Sequence, residues 1–528
     1  MTNWQDVGVV YQIYPRSFLD TDGDGIGDLP GIIDKLDYIK NIVGADAIWL
    51  SPHYLSPQED FGYDVASYTQ IAPEYGTMED AENLISQAHK VGLRVMFDIV
   101  PNHTSDQHEW FAESRAGRYS PKRDWYVWRD PKPDGSEPNN WRSMAGGKSW
   151  TLDEATGQYY LHSFLPSQPD LNWENPRVRE AMKSVCRFWF RKGLDGFRVD
   201  AVWVVAKDPE LHDDPQWQGT SGESYGDYQH LRCKNGPRLH EYLKELTSVA
   251  HEFDDKFFIH EYYADNQHGD MNQQLQDLHN LDPAVATTFY FEGMHFDWHA
   301  ERCGETLQQY ISGLSEHATP VFCFSNHDQP RIVTRYGGEE QARLIAMMQM
   351  TLPGMPCMYY GDEIGMRNVE NDESEDAFDA RGPMGGRDPE RTPMQWNSSE
   401  YAGFSSARPW LPIASDYKTK NAAQQINDEK SFLTLYRQLI KLRKYRPTLR
   451  SGQFALRHVD NGYVLAYTMT SDSEKLMVLL NFADSKQVAS INQPYEILQT
   501  THPHATSRQL DDKQLLLGRY TGCLIRLI

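Results

Sequence analysis

The sequence predicts an α/β protein: a (β/α)8 (TIM) barrel with a loop subdomain inserted after the third strand and a C-terminal antiparallel β domain. Three observations support this fold. Short apolar runs rich in β-branched and aromatic residues alternate with helical patterns, which indicates a parallel sheet with right-handed crossovers. Polar residues gather at the ends of these runs, where such a barrel places its functional groups. Near the C-terminus the pattern changes to short strands and turns, which indicates a separate domain.

Eight runs of the chain are predicted to be the barrel strands, because each is apolar and bounded by turn residues. In chain order they cover residues 9–14, 47–52, 94–100, 197–202, 257–261, 288–291, 321–324 and 356–360. Between the first three strands, apolar residues recur at the spacing of amphipathic helices. These two stripes are Leu36, Ile39, Ile42 and Val43, and then Ala81, Leu84, Ile85 and Ala88.

Changes in composition predict the domain boundaries. Residues 1–103 and 173–446 are expected to form the barrel. Residues 104–172 show no clear alternation and are rich in Pro, Gly, Asn and Trp. A loop of that length inside a compact domain is usually functional, so we expect a small subdomain over the barrel mouth. Residues 447–528 are expected to form a C-terminal β-sandwich domain.

The composition limits the classes of partner. The chain has 528 residues, 39% of them apolar, and a formal net charge of −24. That charge argues against nucleic acid and anionic membranes and favours a small-molecule ligand. The N-terminus lacks the features of a signal peptide, no apolar run is long enough to span a membrane, and the six cysteines contain no CxxC pair. We therefore expect a cytoplasmic protein with reduced cysteines, either a monomer or a homodimer.

The stretch 193–203, Gly-Leu-Asp-Gly-Phe-Arg-Val-Asp-Ala-Val-Trp, combines a turn with a short apolar strand. Arg198 and Asp200 interrupt the apolar run two residues apart, so both lie on one face of the strand. A buried charge is unfavourable unless it is paired or used. A purely structural ion pair explains this pattern as well as a functional site does, and the stretch alone does not distinguish the two.

Three carboxylates, Asp200, Glu261 and Asp328, each end a different predicted strand. One such residue often caps the next helix, but three at one face of a barrel are hard to explain as caps. Two carboxylates that flank a bond are the recurring device of glycoside hydrolysis. One has to remain protonated, through burial or nearby negative charge, while the other stays ionised. We expect Arg198 to hold Asp200 in the ionised form by charge pairing.

Four segments give the chain its resemblance to a known family. They are Asp-Ile-Val-Pro-Asn-His at 98–103, Gly-Phe-Arg-Val-Asp at 196–200, His-Glu at 260–261 and Phe-Ser-Asn-His-Asp at 324–328. In this order they resemble the α-amylase superfamily, glycoside hydrolase family 13, over essentially the whole chain. The resemblance implies that Asp200 is the nucleophile, Glu261 the general acid/base and Asp328 the stabiliser of the transition state. It further implies that a set of polar residues holds the sugar in the innermost subsite. These are His103, Arg198 and His327, although a lone histidine is more often a core residue.

Two more segments, residues 168–172 and 386–396, resemble the oligo-1,6-glucosidase and α-glucosidase branch of that family. In exo-acting relatives, the residues that match Asp64 and Arg391 close the pocket around the terminal, non-reducing glucose. By the same resemblance Tyr63 stacks on that sugar, with simple core packing as the alternative. One departure is His260, since relatives usually have glycine at this position.

The loop 20–28 carries aspartates at alternate positions, as at the start of an EF-hand, but Gly31 stands where the closing glutamate should be. It resembles the divalent-metal loop of oligo-1,6-glucosidases. The resemblance implies a structural Ca2+ site, with Mg2+ as the other candidate, whose ligands are Asp20, Asp22, Asp24, Asp28 and the carbonyl of Ile26. The alternative is a solvated acidic turn.

Together these features predict a retaining, exo-acting α-glucosidase that releases glucose from maltose and short α-glucosides, with some transglucosylation. Ala201 favours α-1,4 over α-1,6 linkages, because by resemblance the members that cut α-1,6 bonds carry Val there and those that cut α-1,4 bonds carry Ala or Thr. The alternatives are a transglycosylase or isomerase of this branch, such as a sucrose isomerase or trehalose synthase, and an oligo-1,6-glucosidase. Gln329 after Asp328 argues against the sucrose isomerases. A non-catalytic relative of the transporter heavy-chain type is disfavoured, since those proteins need a membrane span and typically lack the carboxylates.

Overall fold

The computed structural model describes residues 4–369, 386–459, 462–502, 507–511 and 513–528. Its centre is a parallel sheet of eight strands. In chain order, barrel strands 1 to 8 are Val10–Ile13, Ala47–Leu50, Arg94–Ile99, Gly196–Val199, Phe257–His260, Ala286–Tyr290, Val321–Phe322 and Cys357–Tyr359. Their order in the sheet is 7-6-5-4-3-2-1-8, and a bridge from Cys323, next to strand 7, to Cys357 in strand 8 closes the barrel. The predicted (β/α)8 barrel is therefore confirmed.

The register of strands 3 to 5 places charged side chains next to one another. Arg198 of strand 4 is paired with Asp98 of strand 3 and with Ile259 of strand 5. Neighbours in a ladder point to the same face of the sheet. Ile259 packs with Trp49 in the cluster inside the barrel, so Asp98 and Arg198 lie on the inner face as well.

Strand 4 ends at Val199, earlier than the predicted end at residue 202. Asp200 still donates its N–H to the carbonyl of Ile99 at 2.9 Å, but Ala201 has a left-handed φ of 45°. A 3-10 helix then spans Val202–Val204. The apolar, β-branched composition of a buried turn is the same as that of a buried strand, which is why the sequence predicts one long strand here.

Helices on the outside of the barrel connect the strands. The α-helices that follow barrel strands are Leu29–Asp34, Met78–Val91, Pro176–Arg191, Leu239–Thr247, Met271–His279, Ala300–Ser312, Ile332–Arg335, Glu339–Thr351, Ala422–Gln425 and Phe432–Tyr445. The second predicted stripe is the buried face of Met78–Val91, whose start is fixed by a capping box between Thr77 and Asp80. The first stripe falls on a π-helix, Tyr38–Val43, and the residues just before it.

Between strand 3 and the helix Pro176–Arg191, the chain forms a short helix, Glu109–Arg115, and a three-stranded antiparallel sheet. The strands of this sheet, in spatial order, are Trp128–Arg129, Gln158–Leu161 and Trp150–Asp153. All of these elements lie within residues 104–172, the range that the composition marks as a subdomain. We call this range the inserted segment.

The C-terminal part of the chain consists of two antiparallel sheets. The five-stranded sheet has the order Gln453–Arg457, Val464–Thr470, Lys475–Asn481, Gly522–Leu527, Tyr495–Thr500, and the three-stranded sheet has the order Gln487–Ser490, Gln514–Leu517, Arg508–Asp511. One apolar cluster, with Leu479, Ala489 and Leu515 among its members, joins the two sheets. The predicted C-terminal antiparallel domain is therefore confirmed. A hydroxyl pair, Thr351 and Tyr467 at 2.5 Å, connects it to the barrel.

The cysteines are all buried in the folded chain. Cys186, Cys233, Cys303, Cys323, Cys357 and Cys523 are free thiols. Among the helices that the structure describes, none has the length and apolar character needed to cross a membrane.

Candidate active site

A single guanidinium organises the carboxylates at the C-terminal ends of strands 3 to 5. Nη1 of Arg198 lies 2.7 Å from Oδ1 of Asp98 and 2.7 Å from Oδ1 of Asp200. Its Nη2 lies 2.6 Å from Oε1 of Glu261. Arg198 is only 1% exposed, and all three carboxylates are buried. The structure therefore brings the predicted nucleophile and the predicted general acid/base together, and it adds Asp98 to them.

The turn after strand 4 holds the second oxygen of Glu261. The N–H of Ala201 donates to Oε2 of Glu261 at 2.7 Å. The positive φ of Ala201 is uncommon for a residue other than glycine, and such conformations concentrate at functional sites. The early end of strand 4 thus turns a backbone donor toward the acid/base.

Burial raises the pKa of both Asp200 and Glu261 above their ordinary values, against the opposing charge of Arg198. The negative charge of Glu261 raises that of Asp200 further, and burial raises the pKa of Asp98 to about 7. Strongly interacting carboxyl groups titrate as a pair, and these shifts favour the form of the pair Asp200–Glu261 that holds one proton. Arg198 lowers the pKa of Asp200, in the direction that the predicted charge pairing requires, but its guanidinium is shared with Asp98 and Glu261.

Asp328 lies beside two arginines of the segment 386–396. Its Oδ1 accepts from Nη2 of Arg391 at 2.9 Å and from Nη1 of Arg387 at 3.0 Å. Burial raises the pKa of Asp328, but His327, Arg387 and Arg391 together lower it by more, so that it lies below its ordinary value. Asp328 is therefore ionised across the neutral range. Arg391 is fully buried and also donates to the carbonyl of His327 at 2.7 Å, and its contact with a sugar remains a prediction.

His327 and Tyr63 form one stacked unit. Nε2 of His327 lies 2.6 Å from the hydroxyl of Tyr63, the two rings are parallel within 2°, and Nδ1 of His327 faces Nε2 of Gln12 at 2.8 Å. Burial lowers the pKa of His327 well below its ordinary value, so the imidazole is neutral. Tyr63 is 6% exposed and packs against His327, which agrees with the core-packing alternative. Stacking of Tyr63 on a sugar remains a prediction.

His103 links the barrel to the end of the inserted segment. Its Nε2 lies 3.2 Å from Nε2 of Gln168, and its Nδ1 lies 3.2 Å from Nδ2 of Asn102. Burial lowers the pKa of His103 to about 4, so the ring is neutral. Gln168 in turn donates to Oδ2 of Asp60 at 2.9 Å.

The contact of Asp64 with a sugar remains a prediction, and the structure shows which groups hold its carboxylate. Asp64 has no exposed surface, and its carboxylate accepts from Oγ of Ser56 at 2.8 Å and from the N–H groups of Glu59 and Asp60 at 2.9 and 3.1 Å. Its own loop therefore engages it. In the same loop, Asp60 forms an ion pair with the 386–396 segment: its Oδ1 lies 2.8 Å from Nη2 of Arg387.

The predicted metal loop brings three of its four aspartates together. One carboxylate oxygen each of Asp20, Asp22 and Asp28 lies within 4.8 Å of the others. Asp24 is outside this group, and its Oδ1 accepts the N–H of Ile26 at 2.7 Å. Converging carboxylate oxygens suit a hard cation such as Ca2+. The ligand roles of Asp24 and of the Ile26 carbonyl remain predictions.

His260 lies in strand 5 directly before Glu261 and has no exposed surface. Burial lowers its pKa to about 3, so the ring is neutral. Within the described ranges, neither of its ring nitrogens has a hydrogen-bond partner. His260 and Glu261 are therefore adjacent in the chain but share no side-chain hydrogen bond within the described ranges.

Sequence reasoning misses three charged residues of the site, Asp98, Asp60 and Arg387. Each one stands beside a segment that carries the resemblance: Asp98 opens 98–103, Asp60 directly precedes 61–64, and Arg387 lies four residues before Arg391. The sequence does give a signal at Asp98, because a charge within an apolar strand needs a partner of opposite charge, and Arg198 can be that partner. No such signal separates Asp60 from Asp64, because both are aspartates of the same loop.

Comparisons with known proteins place this geometry in context. The family model described as "Alpha amylase, catalytic domain" matches residues 12–452. An oligo-1,6-glucosidase of Parageobacillus thermoglucosidasius is 38% identical over 98% of this chain and 95% of that protein. A probable α-glucosidase of Rhizobium meliloti (strain 1021) is 39% identical over 99% of this chain and 97% of that protein. Among solved structures, that of an α-glucosyl transfer enzyme, XgtA, matches with a TM-score of 0.92 and 34% identity over 100% of both chains.

Proposed function

The chain belongs to the α-amylase family and is a glycoside hydrolase, and from this premise we propose that it is a retaining, exo-acting α-glucosidase. Its substrates are maltose and short α-glucosides, from which it releases the terminal glucose. The observation that carries the proposal is the pair Asp200–Glu261 on the shared guanidinium of Arg198. A buried pair that retains one proton offers both an ionised nucleophile and a protonated acid, the two forms that a retaining mechanism requires.

In the first step, a carboxylate oxygen of Asp200 attacks the anomeric carbon of the terminal glucose. The bond to the leaving oxygen breaks, and Glu261 transfers its proton to that oxygen, which leaves a glucosyl ester of Asp200. In the second step, Glu261 takes a proton from water, the water oxygen attacks the anomeric carbon, and the ester bond to Asp200 breaks. Two inversions at the same carbon return the α configuration. The ionised Asp328 stabilises the positive charge that develops on the sugar in both steps.

The test of this function is the pair of variants Asp200→Ala and Asp200→Asn. Hydrolysis of p-nitrophenyl α-glucoside should fall by far more than tenfold in both, since the nucleophile has no substitute. Circular dichroism should be unchanged. The anomer released first by the wild type, followed by NMR, should be α-glucose. Turnover within about tenfold of wild type in either variant, or β-glucose as the first product, would exclude the mechanism.

Transfer to a second sugar is the second candidate activity, and the similarity to the α-glucosyl transfer enzyme supports it. A sugar hydroxyl that replaces water in the second step gives transglucosylation without any change of residues. Product analysis at low and high concentrations of maltose, isomaltose, sucrose and trehalose separates the alternatives. Glucose alone indicates hydrolysis, longer oligosaccharides indicate transfer, and an isomerised disaccharide indicates an isomerase.

The preference for α-1,4 over α-1,6 linkages is also a proposal. It rests on Ala201, which lies in the turn beside Glu261 and donates to it. The relative named oligo-1,6-glucosidase makes the α-1,6 preference the competing outcome.

For the loop 20–28 we propose a structural Ca2+ ion, held by Asp20, Asp22 and Asp28 and completed by Asp24 and the carbonyl of Ile26. The ion would stabilise the native state, to which it binds preferentially. Chelation should lower Tm, and Ca2+ or Mg2+ should restore it. An unchanged Tm with no metal found by elemental analysis would mean that the loop is an acidic turn.

We also propose a cytoplasmic location, which the six free, buried thiols support. The assembly is proposed to be a monomer or a homodimer, and sedimentation of the purified chain distinguishes these two states.

A further inference from the structure

The loop after barrel strand 4 contains a second group of polar side chains that takes no part in the site described above. One ligand atom each of Asp214, His230 and Cys233 lies within 4.8 Å of the others. All three residues are buried, with exposures of 3%, 3% and 8%. A carboxylate, an imidazole and a thiol that converge in a small protein core form a donor set typical of metal sites.

The orientation of His230 leaves one ring nitrogen available. Its Nε2 lies 2.7 Å from the carbonyl oxygen of Tyr225, which can only accept, so Nε2 carries the proton. Nδ1 therefore carries the lone pair, which lies 3.4 Å from Sγ of Cys233 and accepts the thiol proton until a metal ion replaces it. The Tyr225 ring stacks on the imidazole with a centroid distance of 3.6 Å. A histidine whose other N–H is fixed by a carbonyl is the usual arrangement of a metal ligand.

Asp214 supplies a buried carboxylate oxygen. Its Oδ1 accepts the N–H of Arg232 at 2.7 Å, which fixes the carboxylate. Its Oδ2 is buried, and among the described residues it has no hydrogen-bond partner of good geometry, although the carboxylate interacts with the nearby thiol of Cys233. A buried carboxylate oxygen left without a donor is unfavourable, and a cation between Asp214, His230 and Cys233 would satisfy it.

We propose that Asp214, His230 and Cys233 form a zinc site with one oxygen, one nitrogen and one sulfur ligand. Zn2+ takes this mixture of ligands, whereas Ca2+ and Mg2+ prefer oxygen. On binding, the thiol proton of Cys233 leaves to solvent, so that one carboxylate and one thiolate balance the two charges of the ion. Three protein ligands leave the fourth tetrahedral position to water. The hard-oxygen loop 20–28 is a separate site with a different metal preference.

The site lies where this loop contacts the inserted segment. Nδ2 of Asn140 donates to the carbonyl of Asp214 at 2.9 Å, and the N–H of Asp214 donates to Oδ1 of Asn140 at 2.8 Å. Cys233 packs in one apolar cluster with Trp141 and Trp150 of the inserted segment. Zinc bound at this point would fasten the loop after the nucleophile strand to the inserted segment.

The test uses the full-length chain, stripped of metal with a chelator and then titrated with Zn2+. One equivalent of zinc per chain should bind, release a proton and raise Tm, and an excess of Ca2+ should not displace it. Loaded with Co2+ in place of zinc, the chain should show the thiolate-to-cobalt charge-transfer absorption of a cysteine ligand. This spectrum does not arise from a merely hydrogen-bonded cysteine.

Two variants and one control identify the ligands. Cys233→Ser should abolish the charge-transfer absorption and lower zinc affinity by more than about tenfold, since even the outer partners of a metal site change affinity 10- to 100-fold. His230→Asn should lower the affinity similarly, and it suits the left-handed φ of 51° at this position, which asparagine tolerates. Cys186→Ser removes a buried thiol elsewhere and should leave zinc binding unchanged. Failure to bind zinc stoichiometrically, or binding that survives both Cys233→Ser and His230→Asn, overturns the proposal.

Discussion

The two walls of the active site differ in the number of cations that accompany each carboxylate. On the wall formed by strands 3 to 5, Asp98, Asp200 and Glu261 share the single guanidinium of Arg198. On the wall formed by the end of strand 7, Asp328 accepts hydrogen bonds from two guanidiniums. The side chain of Asp328 is 18% exposed, against 9% or less for the three carboxylates of the first wall. The walls differ further in the ratio of cations to carboxylates.

That ratio sets the direction of the pKa shifts. With one cation for three carboxylates, burial dominates and the pKa values of Asp200 and Glu261 are raised. With two arginines and His327 beside one carboxylate, these partners outweigh burial and the pKa of Asp328 is lowered. The site therefore keeps its transferable proton where cations are scarce and its fixed negative charge where they are plentiful. Glycoside hydrolysis needs one of each.

The largest effect is expected from Arg198→Gln, which removes the cation that the three carboxylates of the first wall share. Glutamine retains hydrogen-bond donors but no charge, so the pKa values of Asp98, Asp200 and Glu261 should rise and Asp200 should no longer ionise. We expect kcat/KM for p-nitrophenyl α-glucoside to fall about ten-thousandfold or more, the scale of losing a member of a catalytic unit. Stability should fall by about 3–5 kcal/mol as well, because buried charges lose their partner.

Arg443→Gln is the matched control for that loss of stability. Arg443 has no exposed surface, and it donates to the carbonyls of Met350 and Leu352 at 2.9 and 2.7 Å, away from the carboxylates of the active site. Its replacement should lower Tm while kcat/KM of the folded enzyme stays near wild type. If Arg198→Gln and Arg443→Gln had the same kinetics, the shared guanidinium would be structural only.

A smaller effect is expected from Arg391→Gln on the second wall. Removing one partner of a buried, hydrogen-bonded charge pair costs about 2–5 kcal/mol, or roughly 30-fold to several thousandfold in kcat/KM. Arg387→Gln should cost less, because that side chain is 21% exposed and Arg391 remains in place.

The pH dependence of kcat/KM in Arg391→Gln is a further test of the second wall. A lowered carboxylate pKa means that the ionised form is stable down to low pH and is lost only as the pH falls through that pKa. In Arg391→Gln the pKa of Asp328 should rise, but it starts below the raised pKa values of the Asp200–Glu261 pair. Both limbs of the kcat/KM profile report that pair, because its active form carries one proton. The two limbs should therefore stay where they are while kcat/KM falls across the whole profile, and a shift of either limb by more than about one pH unit would contradict the separation of the two walls.

The sequence predicts the first wall better than the second for a physical reason. Strand residues repeat with a period of two and strand ends are bounded by turns, so Asp200 and Glu261 can be placed on a common face without coordinates. The shared role of Arg198 depends on the register between strands 3, 4 and 5, and a single sequence does not show which strands are neighbours or how they align. The sequence therefore predicts the ion pair of Arg198 with Asp200 but not its sharing with Asp98.

Loops account for what the sequence does not predict. Asp60 and Asp64 lie four residues apart in one loop, and only the folded backbone determines which carboxylate is engaged by its own N–H groups and which one faces Arg387. Loop conformations follow no regular period, so residue type alone does not reveal the direction of a side chain. The same limit applies to Asp214 and Cys233, which are distant in the sequence and come together only in the folded loop.

The smallest effect is expected at Ala201, and it sharpens the comparison within the first wall. The N–H of Ala201 donates to Glu261, which places this residue beside the group that protonates the leaving oxygen. Adding two methyl groups in Ala201→Val should shift the ratio of kcat/KM for maltose and isomaltose toward isomaltose by about tenfold, within the roughly 10- to 200-fold that one or two methyl groups contribute. Valine also tolerates a φ of 45° poorly, so kcat should fall on both substrates, and the ratio isolates the steric effect.

Ala201→Gly is the control, because glycine adopts this φ without strain and keeps the N–H donor. This variant should retain both the activity and the preference for maltose. A wild type that prefers isomaltose, or a ratio that stays the same in Ala201→Val, would assign the linkage preference to the neighbouring loops instead.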